Sequence, residues 1–325
     1  MGTHNLLEIR GLRTSFISHQ GIAPAVDGVD LDLRHGETLG LVGESGCGKS
    51  VTALSIMRLV PSPPGKILGG RVLFNGQDLM TLPEEQMRRI RGNRISMIFQ
   101  EPMTSLNPVF KVGDQIAEVF VVHRDMSRSA ARDAAIEMLK KVGIPSPERR
   151  ARDYPHQLSG GMRQRVMIAM ALACNPTLIL ADEPSTALDV TIQAQILELM
   201  NEIKEKFKTS IILITHDLGV VAEMADRVAV MYTGRIVEEA EVKSFFLAPQ
   251  HPYSIGLLKS IPRMNVALNG SNRLYVIPGM VPDLTRLPQG CSFRDRCEEA
   301  QKICEQPPEL ERKSCGHLVR CWLRT

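Results

Sequence analysis

The stretch Gly43-Glu44-Ser45-Gly46-Cys47-Gly48-Lys49-Ser50 narrows what this chain can fold into more than any other. It matches G-x4-G-K-S. It follows the compact apolar run Thr38 to Val42 and opens Ser50 to Leu59, where Val51, Leu54, Ile56 and Met57 fall at helical spacing. A strand that turns into a helix through glycines lets consecutive backbone N–H groups point at an anion without Cβ clashes. The helix N-terminus adds favourable partial charge at the same place. Lys49 is expected to reach the β and γ phosphates of a nucleotide, and the Ser50 hydroxyl to ligate Mg2+.

A second acidic site accompanies the loop. Leu178-Ile179-Leu180-Ala181 is an apolar strand ending in Asp182 and Glu183. Asp182 is expected in the Mg2+ shell, and Glu183 is expected to orient or polarise an attacking water. Phosphoryl transfer needs mainly positioning and charge compensation, so a metal, a lysine and a water-orienting acid form a sufficient minimum.

The rest of the chain sets these motifs in an α/β frame. Leu6 to Arg10 and Gly28 to Leu33 alternate as short strands, and Val72 to Phe74 runs into an Asn75-Gly76 turn. Ile95 to Phe99 and Ile211 to Thr215 read as further apolar strands, and Thr191 to Lys206 as a helix. Val228 to Met231 and Arg235 to Glu238 form a hairpin around Thr233-Gly234. Val112 to Leu139 is helical and charged, which predicts a helical insert closing near Ile144 to Pro147. Strands alternating with helices predict a largely parallel sheet. After Pro249 prolines recur, and the tail is expected to be loop-rich without a large apolar core of its own.

Composition removes several function classes. Lys plus Arg is 39 against 36 for Asp plus Glu, a net charge of +3. That argues against a basic nucleic-acid-coating protein and an acidic disordered one. At 43% hydrophobic the chain is in the globular range. Its longest apolar run, Val166 to Cys174, is far shorter than the ~18 residues of a membrane helix. No basic n-region with an apolar h-region opens the chain, so a cytosolic protein that docks on a membrane partner is expected.

Leu158-Ser159-Gly160-Gly161-Met162, followed by Arg163-Gln164-Arg165, resembles the signature of ATP-binding cassette (ABC) ATPases, with Met162 where the family has Gln. Ser159 and its glycines start a predicted helix and can offer a hydroxyl, N–H groups and a positive dipole end to a γ-phosphate. The resemblance implies that this phosphate belongs to the ATP of an opposing subunit. Other family elements follow in order. Gln100 resembles the Q-loop glutamine that contacts metal and water. Ser185 to Asp189 resembles the D-loop, which places Asp189 at the nucleotide. His216 resembles the switch histidine that senses the γ-phosphate. Phe16 resembles the aromatic residue that stacks on adenine, and could equally pack within the β-rich region. Val51 completes the phosphate-loop set.

Gln100 to Pro108, His251-Pro252-Tyr253, Ile277-Pro278-Gly279 and the closing cysteines resemble the ATP-binding subunits of dipeptide and oligopeptide permeases, whose architecture nickel and glutathione importers share. The resemblance implies an α/β fold with a P-loop ABC ATPase core, an antiparallel β-subdomain, a helical insert at about 101–160, and a Cys-rich, loop-rich extension. The implied boundaries are 1–248 and 249–325. It implies a second ATPase subunit (a paralogue by family habit), two transmembrane permease subunits and an extracytoplasmic binding protein. It also implies a peripheral place on the cytoplasmic face of the inner membrane. A soluble ABC ATPase acting on nucleic acid is the rival class, and the single cassette and small charge excess count against it. A redox-sensing regulatory protein is a second rival.

Of seven cysteines, five crowd between Cys291 and Cys321. Thiolates at this density in a segment with little core suggest a metal cross-link. The family pattern resembles His317-x3-Cys321, so Cys291, Cys297, Cys304 and Cys321 are the expected ligands of a [4Fe-4S] cluster, with zinc as the alternative.

Overall fold

The computed structural model describes residues 5–19, 21–101, 105–184, 190–261 and 275–324. In chain order the first elements are β1 (Asn5–Ser18), β2 (Gly21–Arg34), β3 (Thr38–Val42), α1 (Lys49–Ile56), β4 (Gly65–Phe74) and β5 (Gln77–Asp78). Next come α2 (Glu84–Ile90), β6 (Ile95–Ile98), α3 (Val112–Arg124), α4 (Arg128–Lys141), α5 (Pro147–Arg150) and α6 (Gly160–Leu172). Then follow β7 (Leu178–Asp182), α7 (Val190–Phe207), β8 (Ser210–Ile214), α8 (Leu218–Met224), β9 (Arg227–Tyr232) and β10 (Arg235–Glu241). The last are α9 (Val242–Leu247), α10 (Pro252–Lys259), β11 (Glu311–Arg312) and β12 (Leu318–Val319). The chain divides into two compact units.

One unit holds residues 5–33, 38–80 and 215–325. Its first sheet has the order β2-β1-β4-β5, with β1 antiparallel to β4 through Leu7↔Phe74 and Ile9↔Val72. Both long strands outrun their apolar alternation. The β1–β4 register shifts between Arg10 and Arg13, where Gly11 takes φ 58°, so a bulge interrupts the period of two without ending the strand. In the second sheet region β3 pairs parallel with β9, and β9 pairs antiparallel with β10 through the Thr233-Gly234 turn. β12 lies antiparallel to both β10 and β11. Every residue of β3 and of β9 is buried, as expected of strands covered on both faces.

The loop-rich tail does not build a separate core; it contributes to this one. Tyr253 and Phe293 pack with Tyr232 at centroid distances of 4.7 and 5.3 Å, the second edge to face. Ile277 joins them in a cluster with Val42, Val228 and Val230. A polar lock sits beside the rings. The Glu238 carboxylate, fully buried, accepts the Gln250 and His251 N–H groups at 2.8 Å each and meets His317 Nδ1 at 2.9 Å. α10 begins with Pro252, whose missing N–H is no loss in a first turn, and His251 Nδ1 accepts the Tyr253 N–H at 3.1 Å.

The other unit holds 34–37 and 81–214. Here β6, β7 and β8 form a parallel set through Ile95↔Leu178 and Leu178↔Ser210. The helical stretch predicted over 112–139 is two helices. Asp125, at φ 51°, ends α3, and Ser127 caps α4 by accepting the Ala130 N–H. Among the described residues no helix is long and apolar enough to cross a membrane.

His251 makes the fold's acid stability testable. Burial, aided by the nearby cationic Arg324 and opposed by a hydrogen bond with the Arg320 backbone, lowers its pKa to about 3. The folded state therefore keeps the ring neutral while the unfolded chain protonates it below about pH 6.5. This contribution to stability is present above about pH 6.5 and is lost as pH falls toward 3. Between about pH 6.5 and 4.5 it amounts to roughly 2–3 kcal/mol. His251→Gln should flatten the acid limb of a denaturation-versus-pH curve by that order. A variant curve parallel to wild type over this range would remove His251 from the account.

Candidate nucleotide site

The Gly43–Ser50 loop leaves a fully buried strand and enters α1. Two of its glycines are imposed by neighbours. At Gly43, φ 152°, a Cβ would overlap the Met231 carbonyl oxygen; at Gly48, φ 109°, it would overlap that of Ala25. Gly46, φ 79°, faces open space and is required only by its backbone angle. The Lys49 ammonium, nearly buried, donates to the carbonyls of Gly43 at 2.8 Å and Glu44 at 3.0 Å, and lies 3.6 Å from Cys47 Sγ. The loop is thus folded around a cation. Burial raises the Cys47 thiol pKa despite that neighbour, so it packs as a neutral group. Ser45 and Gly46 are exposed, and Ser50 and Val51 are half-buried at the helix entrance.

Glu44 is the loop's most constrained residue. Its N–H donates to Tyr253 Oη at 2.7 Å. Its carboxylate receives both terminal nitrogens of Arg296, at 2.7 and 3.0 Å. Neither partner is legible as a site residue in the sequence. Tyr253 lies 209 residues from Glu44 and Arg296 lies 252. No local pattern carries that information, although Tyr253 stands within His251-Pro252-Tyr253.

In the other unit, Asp182 is buried at the end of β7. Glu183 follows in the left-handed region at φ 46°, and its N–H donates to the Ile214 carbonyl at 2.9 Å. A positive φ at a non-glycine residue is strained and points to a side chain held where the chain would not otherwise put it. The Glu183 carboxylate accepts from Gln100 Nε2 at 3.0 Å, so two residues separated by 83 positions meet. Gln164, buried, donates to the Pro184 carbonyl and ties α6 to the residue after Glu183; nothing in its sequence context marks that role. Ser159 caps α6 by accepting the Met162 N–H at 3.4 Å, and Gly160 is exposed beside it. A Cβ on Gly161 would approach Ile192 Cγ2 at 3.0 Å.

His216 is exposed immediately before Asp217, which caps α8. Phe16 is half-buried opposite Gly65, where a Cβ would come 2.9 Å from its ring, so it packs across the β1–β4 pair. Asp189 lies outside the described residues.

The metal reading of the cysteine tail is overturned. Among the described residues no group of three or more His, Cys, Asp or Glu side chains is arranged to hold a metal ion. Cys291, Cys297, Cys304 and Cys321 therefore form neither the expected [4Fe-4S] site nor the zinc alternative. They are free thiols lining a small apolar cavity of about 10 Å3, shared with Phe293 and Trp322. That volume is no more than about one water needs. Burial pushes the Cys291 thiol up to about 11 and raises Cys297 and Cys321 as well.

A phosphate loop of this build, with an acid pair after a buried strand and a serine-glycine helix cap, defines an ATP-binding cassette. Comparison with known proteins agrees. Residues 26–186 match the ABC transporter family, and 237–304 match the C-terminal region of oligopeptide/dipeptide transporters. The chain is 54% identical to a probable peptide ABC transporter ATP-binding protein of Sinorhizobium fredii, over 98% of this chain and 94% of that one. It is 55% identical to the oligopeptide transport ATP-binding protein OppD of Bacillus subtilis, over 98% and 88%. Among solved structures it resembles the ATP-binding cassette MJ0796, a dimer in a post-hydrolysis state bound to ADP and Pi. That likeness has 28% identity, a TM-score of 0.66, and coverage of 73% of this chain and 98% of that one. The chain belongs to the family of ATP-binding subunits of ABC-type peptide importers.

The two kinds of loop glycine separate in stability. Gly46→Ala should cost about 1–2 kcal/mol, the penalty of a left-handed non-glycine residue. Gly48→Ala should cost clearly more, because the same backbone strain is joined by overlap with the Ala25 carbonyl. Equal losses in chemical denaturation would show that backbone angle alone governs both positions.

Proposed function

We propose that the chain hydrolyses ATP to power import of peptides, by pairing with a second ATPase subunit around two nucleotides. The observation that carries this reading is Lys49, a nearly buried ammonium held by loop carbonyls where the family's phosphate binds. On nucleotide arrival Lys49 exchanges those carbonyls for phosphate oxygens. Gly43, Glu44, Ser45, Gly46, Cys47, Gly48 and Val51 supply the surrounding loop and helix entrance, and the family resemblance assigns Phe16 to stack on adenine. Ser50, Asp182 and Gln100 offer a hydroxyl, a carboxylate and an amide oxygen, the hard donors that suit Mg2+. The metal neutralises charge on the phosphates when bound. Glu183, held by Gln100, orients the attacking water and takes up its proton, and His216 reads the γ-phosphate.

Ser159, Gly160 and Gly161 face the partner subunit's nucleotide in this reading, with Asp189 beside it. ATP then favours the closed dimer because its γ-phosphate gains those contacts only there. Two permease subunits convert closure into transport, and an extracytoplasmic binding protein delivers the peptide. The chain's own place is the cytoplasmic membrane face.

Two substitutions test the roles separately. Lys49→Ala should abolish turnover through lost phosphate binding, a charge-assisted contact worth several tenfold steps at ~1.4 kcal/mol each. Near-normal turnover at saturating ATP in the assembled transporter would exclude this role. Glu183→Gln is nearly isosteric but cannot accept the water's proton. It should bind ATP normally while single-turnover hydrolysis slows at least ~10²-fold. A variant that binds poorly yet hydrolyses at the wild-type rate would show that Glu183 serves binding instead.

A further inference from the structure

The phosphate loop contains a carboxylate, and an anion site is a poor place for one. Glu44 sits one residue after Gly43, and its carbonyl already accepts from Lys49 Nζ at 3.0 Å. A free carboxylate there opposes any phosphate drawn to the same ammonium and the same backbone N–H groups. Its charge is met by Arg296, from the segment that follows the ATPase core in sequence. The two guanidinium nitrogens make a paired contact at 2.7 and 3.0 Å. Arg296 is itself fixed. Nε donates to the Pro278 carbonyl at 2.9 Å, and its guanidinium carbon lies 5.8 Å from the ring centroids of Tyr232 and Phe293. Its side chain is 5% exposed, against 30% for Glu44. The geometry is that of a preorganised cation presented to the loop. Tyr253 Oη, from the same extension, takes the Glu44 N–H, so both ends of Glu44 are held from outside the loop.

We propose that Arg296 is a positioning residue for the nucleotide triphosphate: it neutralises Glu44 and thereby lets the loop hold phosphate. The C-terminal extension then sets ATP affinity in cis, through a residue that touches no nucleotide. This rests on the assignment of Gly43–Ser50 as the nucleotide site. The role is electrostatic, so the defect left by removing Arg296 belongs to the carboxylate and disappears when that charge does.

The test is MgATP binding to the full-length chain at low and moderate salt, with Arg296→Met, Glu44→Gln and the double variant. Arg296→Met should weaken binding about tenfold or more, and the loss should shrink as salt screens the uncompensated carboxylate. Adding Glu44→Gln should bring affinity back to within about threefold of Glu44→Gln alone. A merely structural Arg296 gives no such rescue, because Glu44→Gln restores none of its contacts to Pro278, Tyr232 or Phe293. Wild-type affinity in Arg296→Met, or a double variant no better than Arg296→Met, overturns the inference. If Arg296→Met does not fold, Arg296→Lys decides: affinity within about threefold of wild type supports charge compensation, and a tenfold loss in the folded variant overturns it. Lys49→Ala separates the two readings. If it binds MgATP as well as wild type does, the nucleotide-site assignment fails; if it binds weakly while Arg296→Met binds normally, only the present inference fails.

Discussion

Two carbonyl oxygens hold the phosphate loop in shape. Met231 O and Ala25 O occupy the space that side chains on Gly43 and Gly48 would need. The loop can therefore lie against β9 and β2 only with glycine at both positions. The β9–β10 turn closes the arrangement. Gly234 donates its N–H to the Cys47 carbonyl at 2.8 Å, and its own carbonyl accepts the Asp27 N–H at 2.8 Å. Phosphate loop, hairpin turn and β2 thus fix one another through backbone atoms, which no side-chain substitution removes. The Lys49 ammonium satisfies carbonyls inside this frame, so the cation is held at the site by backbone acceptors.

The anchoring continues outward through aromatic packing. Tyr232 ends β9, and its ring contacts both Tyr253 and Phe293 of the extension. Such clusters bury large apolar area with a preferred edge-to-face geometry. Here they also carry polar ends to the loop, since Tyr253 Oη reaches the Glu44 N–H and Arg296 lies over two of the rings. A tail poor in regular structure is held by a few large side chains and by the buried Glu238 carboxylate, and so needs little core of its own.

How much of this is legible in the sequence follows from how local each signal is. β3, β7 and β8 are legible because a short apolar run flanked by turn residues or charge fits little but a buried strand. Gln100 and Glu183 are each marked in sequence by the apolar strand before them, whereas their direct contact is not, because it depends on strand order. β1 looks shorter in sequence than it is, since the bulge near Gly11 breaks the alternation that marks it. The division of the 112–139 stretch at Asp125 is hidden because charged and apolar residues interleave on both sides of it. The cysteine pattern misleads in a different way. Spacing places thiols in one segment, and they do line one cavity, but convergence on a metal depends on side-chain directions that spacing does not encode. Arg296 and Tyr253 are beyond reach, because a contact spanning 252 residues leaves no local trace.

That span has a consequence during synthesis. The loop at 43–50 leaves the ribosome early, whereas its partners at Met231, Tyr253 and Arg296 are translated much later. Until then the nascent loop lacks the carbonyl at Gly43, the hydroxyl at Glu44 and the guanidinium that offsets its carboxylate. Domains commonly fold as the chain emerges, but this unit is discontinuous, and its last strand pairing uses Val319. Full constraint of Glu44 is thus deferred until nearly the whole sequence is available, and a chain terminated before the extension keeps the loop's backbone neighbours at Ala25, Met231 and Gly234 but lacks the Tyr253 and Arg296 contacts to Glu44.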